Sequence, residues 1–132
     1  MTVHYADASA WGKLIHDEAE SEAMLDHLEE VRREGGRFVS SALLLTELHR
    51  IAARLGLPTT GVVRALGEIS LEVPTRETFE LAARLPGPTL RSLDAVHVAA
   101  ALETGAEAFI TYDTRQASAA EEAGLAVLSP GA

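Results

Sequence analysis

The chain has no cysteine, a single lysine at Lys13, and aromatic side chains at only 5% of its positions. Without cysteine there are no disulfides, no thiolate metal sites and no thiol nucleophile, a usage that suits a reducing compartment. No apolar run approaches the roughly 18 residues of a membrane span, and the opening residues MTVHYAD lack the basic start and apolar stretch of a secretory signal. A cytoplasmic protein with no membrane contact is expected. Positive charge is scarce too: 11 basic residues stand against 20 acidic ones, for a net charge of −9. That sign excludes nucleic-acid binding through the bulk field, so any such contact has to be local.

What is present is apolar material for a core. The chain has 132 residues, 47% of them hydrophobic, and no linker, repeat or low-complexity segment, so residues 1–132 are expected to form one domain. Eight of the acids (Asp17, Glu18, Glu20, Glu22, Asp26, Glu29, Glu30, Glu34) fall in one stretch that reads as a solvated helix face. Punctuation at Gly35-Gly36, Leu57-Pro58, Pro74 and Pro86-Gly87-Pro88 divides the chain into short elements.

The pattern predicts strands over TVHYA, RFVS, Ser70 to Val73, Glu107 to Tyr112 and Leu125 to Leu128. Helices are predicted over Ala8 to Ile15 and over Glu20 to Glu34, the latter with Met24, Leu25, Leu28 and Val31 along one side. A third, capped by Ser40 or Ser41, runs through Leu55 with Leu44, Leu48, Ile51 and Leu55 inward. Others span Thr60 to Gly67, Thr75 to about Leu85 and Thr114 to Ala123, the last stopped by Gly124. LRSLDAVHVAAALETG is apolar nearly all round and reads as a buried helix. Strands separated by helices imply parallel pairing with right-handed crossovers, an α/β fold.

In open parallel sheets, ligands gather beyond the carboxyl ends of the strands, near the point where the strand order reverses. Asp7 follows the first strand and Asp113 the fourth. Two more acids sit where acids are costly: Glu47 leans toward the apolar face of its helix, between Leu44 and Ile51, and Asp94 is the only acid between Leu90 and Leu102. Each has an ordinary explanation. Asp113 with Gln116 makes a capping box, Asp7 or Ser9 can cap the following helix, Glu47 can pair with Arg50 or stay half exposed, and Asp94 can pair with Arg91. Those explanations leave unaddressed why all four should meet at one end of one sheet. Converging carboxylates repel unless neutralised, and a hard, oxygen-preferring Mg²⁺ or Mn²⁺ is the usual counter-ion. Such an ion is commonly completed by phosphate oxygens, which points to phosphoryl chemistry, with one metal or two.

The ordered set D-A-S (Asp7 to Ser9), T-E-L (Thr46 to Leu48), R-S-L-D-A-V-H-V-A-A-A (Arg91 to Ala101) and I-T-Y-D-T-R (Ile110 to Arg115) resembles the PIN-domain ribonucleases. Within them it is most similar to the VapC toxins of bacterial toxin–antitoxin pairs, over essentially the whole chain. The resemblance implies a three-layer α/β/α fold with a five-stranded parallel sheet of order 3-2-1-4-5, and Mg²⁺- or Mn²⁺-dependent endonuclease activity on RNA. It carries over Asp7, Glu47, Asp94 and Asp113 as catalytic metal-binding acids, with Ser9 and Thr111 as polar groups that orient carboxylates or waters. It also implies a homodimer and a cognate VapB-like antitoxin whose carboxyl-terminal segment covers the site, in a larger assembly.

Arg91 and Arg115 flank the acids and can hold RNA phosphates or form helix-face ion pairs. Arg32, Arg33 and Arg37 make a thin basic patch. The five histidines lack metal-ligand spacing, and His97, in its apolar helix, reads as a satisfied core residue. Trp11 reads as packing α-helix onto sheet, or onto a partner. A phosphoacceptor domain would need paired early acids and a late lysine, and a D-x-D phosphatase an acid where Ser9 stands. A PIN-like module that binds RNA or protein without cleaving is the remaining alternative.

Overall fold

The computed structural model describes residues 2–132. Its order is β1 (Val3–Ala6), α1 (Ala8–Ile15), α2 (Ser21–Arg33), β2 (Arg37–Ser41), α3 (Leu43–Leu55), α4 (Thr60–Leu66), β3 (Ile69–Glu72), α5 (Arg76–Arg84), α6 (Ser92–Glu103), β4 (Ala108–Ile110), α7 (Thr114–Glu122) and β5 (Val127–Leu128). The strands form one sheet in the order β3-β2-β1-β4-β5, all pairs parallel.

The strands are short, so their side-chain alternation sorts the two faces cleanly. Phe38 and Ile110 point to one side, into a core with Trp11, Met24, Leu44, Leu48 and Val62 from α1 to α4. Tyr5, Val39 and Phe109 point to the other, against Val98, Ala101 and Ala120 of α6 and α7, and α5 packs on α6. The result is the three-layer α/β/α arrangement of the expected sheet order. Trp11 is fully buried, edge-on to Phe38 at 5.6 Å between ring centroids, so it packs helix onto sheet. α6 is buried along Ala95–Ala101, as its unbroken apolar run requires.

Several predicted details shift, each for a local reason. Ser40 lies within β2 and α3 has Ala42 as its N-cap, without a side-chain cap; Ser41 contributes only by accepting the Leu43 N–H at 3.2 Å. Leu55 is 46% exposed, because Ala52 takes the inward position in the last turn. Leu25, one residue round the helix from Met24, is likewise exposed. β3 begins one residue earlier than predicted, and Val73 stands in solvent. β5 loses Leu125, whose N–H closes the end of α7 on the Ala120 carbonyl after the left-handed Gly124 (φ 95°). β4 stops before Tyr112, whose N–H goes to the Ser9 hydroxyl.

Candidate active site

The chain runs β1, β2, β3 to one edge of the sheet and β4, β5 to the other, so the order reverses between β1 and β4. Ala6 is in register with Ile110, which brings the next residues, Asp7 and Thr111, together at the carboxyl ends. Asp7 is 2% exposed. Its carboxylate accepts the Ala10 N–H (3.1 Å), capping α1, and also the hydroxyls of Ser9 (2.6 Å) and Thr111 (2.5 Å). Asp7 therefore caps the helix, and Ser9 orients it.

Those hydroxyls also build the turn that carries Asp113. Ser9 Oγ accepts the Tyr112 N–H at 2.8 Å and Thr111 Oγ1 accepts the Asp113 N–H at 3.1 Å. Asp113 then caps α7, accepting from the N–H groups of Arg115 (2.9 Å) and Gln116 (3.2 Å). The capping box expected with Gln116 is only half made, because the Gln116 side chain turns elsewhere. With its amide nitrogen toward the acids, the orientation that avoids an oxygen facing oxygens, Gln116 donates to Asp7 Oδ2 at 3.2 Å and Asp94 Oδ1 at 3.1 Å. Gln116 is buried, and one amide thus spans the carboxylates of β1 and α6.

Glu47 does not pair with Arg50. Its Oε1 lies 2.5 Å from Nε2 of His97, one turn beyond Asp94 on α6. No salt bridge reaches Asp7, Asp94 or Asp113 among the described residues. Lys13 is engaged by Glu18 and Glu20, and Arg32 by Glu68. Arg91 and Arg115 are exposed and also free of ion pairs among the described residues.

Electrostatics record the lack of compensation. Burial pushes the Asp7 carboxyl above the usual carboxylate range, against the opposing hydrogen bonds of Ser9 and Thr111. Burial also raises Asp94, with repulsion from Asp113 and, more weakly, Glu47 adding to it; the Arg91 guanidinium opposes. The four acids thus share one end of the sheet, two of them within reach of one amide. Among the described residues, no three acidic or histidine side chains stand close enough to enclose an ion as they are. That arrangement still fits Mg²⁺, which keeps most of its waters and takes one or two carboxylates directly. The donors are all oxygen, and the buried Asp7 has no positive partner.

A cleft of about 580 Å³ lies between α1, α2 and α4, bordered by Trp11, Leu14, Leu25, Leu28 and Arg64, and contains none of the four acids. Asp113 instead borders a smaller depression of about 430 Å³ with Ser9, Lys13, His16 and Tyr112. An open surface of this kind suits an extended polymer better than a small enclosed ligand.

Gln116 and His97 are the polar residues whose part in the site the sequence reading missed. Local spacing pairs Gln116 with Asp113, three residues away, whereas its partners Asp7 and Asp94 lie far along the chain. His97 was assigned correctly to the core, but a buried imidazole needs partners for both nitrogens, and its position one turn after Asp94 was the available signal.

The PIN-domain family model matches residues 5–122. The chain belongs to the PIN-domain family. It is similar, at 40% identity over 96% of both chains, to ribonuclease VapC35 of Mycobacterium tuberculosis. Among solved structures it resembles the M. tuberculosis toxin VapC20, described as cleaving the sarcin–ricin loop, with a TM-score of 0.72 and 17% identity over 96% of this chain and 99% of that one. It also resembles a chain of VapBC2 from Rickettsia felis, solved on a DNA fragment from its promoter, with a TM-score of 0.74 and 11% identity over 96% and 98%. At those identities the structural likeness establishes the fold. Among the described residues, no helix of this PIN domain is long and apolar enough to cross a membrane.

Proposed function

We propose that this chain is a single PIN domain acting as a Mg²⁺- or Mn²⁺-dependent endoribonuclease, the toxin of a toxin–antitoxin pair. The observation that carries the reading is Asp7: a buried carboxylate with no cationic partner, joined to Asp94 through Gln116 where the strand order reverses. Support comes from a relative named ribonuclease that matches nearly the full length, and from a solved neighbour of the same fold named as a VapBC complex.

In this reading Asp7 and Asp94 would hold the ion, with Glu47 and Asp113 beside them to orient waters. A bound ion would supply activation of a water and stabilisation of charge on the leaving oxygen of the phosphodiester. Ser9 and Thr111 fix both oxygens of Asp7, so that little rearrangement is needed on binding. Arg91 and Arg115, exposed and without ion pairs, receive flanking phosphates of the RNA. Their local charge is what permits RNA to bind a chain of net charge −9. The protein works as a cytoplasmic homodimer, and a VapB-like antitoxin closes the site by laying a basic segment over the acids.

The test is RNA cleavage by the purified chain, freed of antitoxin. Cleavage is expected with Mg²⁺ or Mn²⁺, and none with EDTA or in a folded Asp7→Asn variant. Cleavage that survives both treatments overturns the metal-site reading, and RNA binding without cleavage by the wild type favours the non-cleaving module.

A further inference from the structure

His97 is 1% exposed, and both of its nitrogens are engaged: Nδ1 lies 2.6 Å from the Tyr5 hydroxyl and Nε2 lies 2.5 Å from Glu47 Oε1. The tautomer follows from the Tyr5 phenol, which keeps its proton at neutral pH. The phenol oxygen accepts the Ser41 N–H at 3.0 Å, and its own proton goes to His97 Nδ1 at 2.6 Å rather than to the neighbouring Ser40 hydroxyl, which makes no hydrogen bond among the described residues. Nδ1 is therefore unprotonated, and Nε2 carries the hydrogen donated to Glu47.

The relay links three elements of the site. Tyr5 lies two residues before Asp7 on β1, His97 lies three residues after Asp94 on α6, and Glu47 is on α3. Glu47 is partly exposed, with a long side chain that would sample many rotamers if unheld. We propose that His97, its tautomer set by Tyr5, is a positioning residue that aims the Glu47 carboxylate at the crevice shared by Asp7 and Asp94. A histidine that donates to a metal-site carboxylate while its other nitrogen is fixed is the reciprocal of the usual outer-shell arrangement, in which a carboxylate orients a histidine ligand. This inference rests on the metal-site reading above.

The experiment combines ring ¹⁵N NMR of His97 in the wild type with Mn²⁺ calorimetry on the wild type, Tyr5→Phe, Glu47→Gln and the double variant. Tyr5→Phe keeps the ring in the core and removes only the hydroxyl. Expected are an Nε2-protonated ring, Mn²⁺ affinity about tenfold lower in Tyr5→Phe, and a double variant no weaker than Glu47→Gln alone, because the phenol acts through Glu47. A ring protonated at Nδ1, an unchanged affinity in Tyr5→Phe, or additive losses in the double variant overturns the inference alone. A wild type that takes up no Mn²⁺ overturns the metal-site reading and this inference with it.

Discussion

The stretch from Asp17 to Glu34 and the carboxyl end of the sheet carry charges of the same sign in opposite surroundings. Along α2 and the turn before it, seven of the eight acids are exposed, and the eighth, Glu20, meets Lys13. Water screens them, and they ask nothing of the fold. At the sheet end Asp7 is buried, Asp94 is half-buried, and two hydroxyls, an amide and an imidazole are spent on the acids. Net charge alone would treat the two groups alike. What separates them is the number of neutral hydrogen-bond donors that the fold commits to each.

The largest effect should come from exchanging a charge in one region but not the other. Asp7→Asn is expected to lower RNA cleavage on the order of a thousandfold, the loss of several kcal/mol of charge stabilisation. Neutralising Glu22, Asp26 and Glu29 together should change the rate less than about twofold and the stability by roughly 0.5 kcal/mol or less per site. Equal losses in both variants would erase the distinction between the regions.

Gln116→Ala removes the two hydrogen bonds that the Gln116 amide donates, one to Asp7 and one to Asp94. It should weaken Mn²⁺ binding about 10- to 100-fold in calorimetry, while circular dichroism still reports a folded chain. An affinity within twofold of wild type would make Gln116 a bystander.

The pH dependence sharpens the comparison in the metal-free protein. Asp7 and Asp94 have carboxyls raised above the ordinary 3.8, so the folded chain holds their protons more tightly than the unfolded chain does. The resulting stability is complete below that ordinary value and is lost as pH rises through the raised folded values. Asp7→Asn should therefore gain melting temperature relative to the wild type as pH rises from about 4 toward neutrality. Added Mn²⁺ should then narrow the difference by stabilising the wild type. A difference that shrinks with rising pH in the absence of metal has the wrong sign for a buried, unpaired carboxylate.

The smallest expected effect distinguishes the two uses of Asp113. Asp113→Asn keeps a good N-cap and removes the charge, whereas Asp113→Ala removes both. Thermal unfolding should place the alanine variant about 1 kcal/mol below the asparagine variant, with both impaired in cleavage. Full activity in Asp113→Asn would reduce this residue to a helix cap.

Much of this was legible in the chain. Alternating short strands and helices define the layers through side-chain period alone, and the buried α6 follows from its unbroken apolar run. The four acids could be singled out because two follow strands and two interrupt apolar faces. What escaped was long-range. The bonds from Gln116 to Asp7 and from His97 to Glu47 join residues 109 and 50 positions apart, and local spacing instead offered Asp113 and the core as their partners. The outward positions of Leu25 and Leu55 have a simpler cause, since a helical stripe drifts round the axis and the neighbours Met24 and Ala52 took the inward places.

The proposed site puts a hard cation between Asp7 and Asp94. Anomalous diffraction from crystals soaked in Mn²⁺ should show a peak within coordination distance of both carboxylates, absent in Asp7→Asn; a wild-type peak elsewhere, or no peak at saturating Mn²⁺, would contradict it.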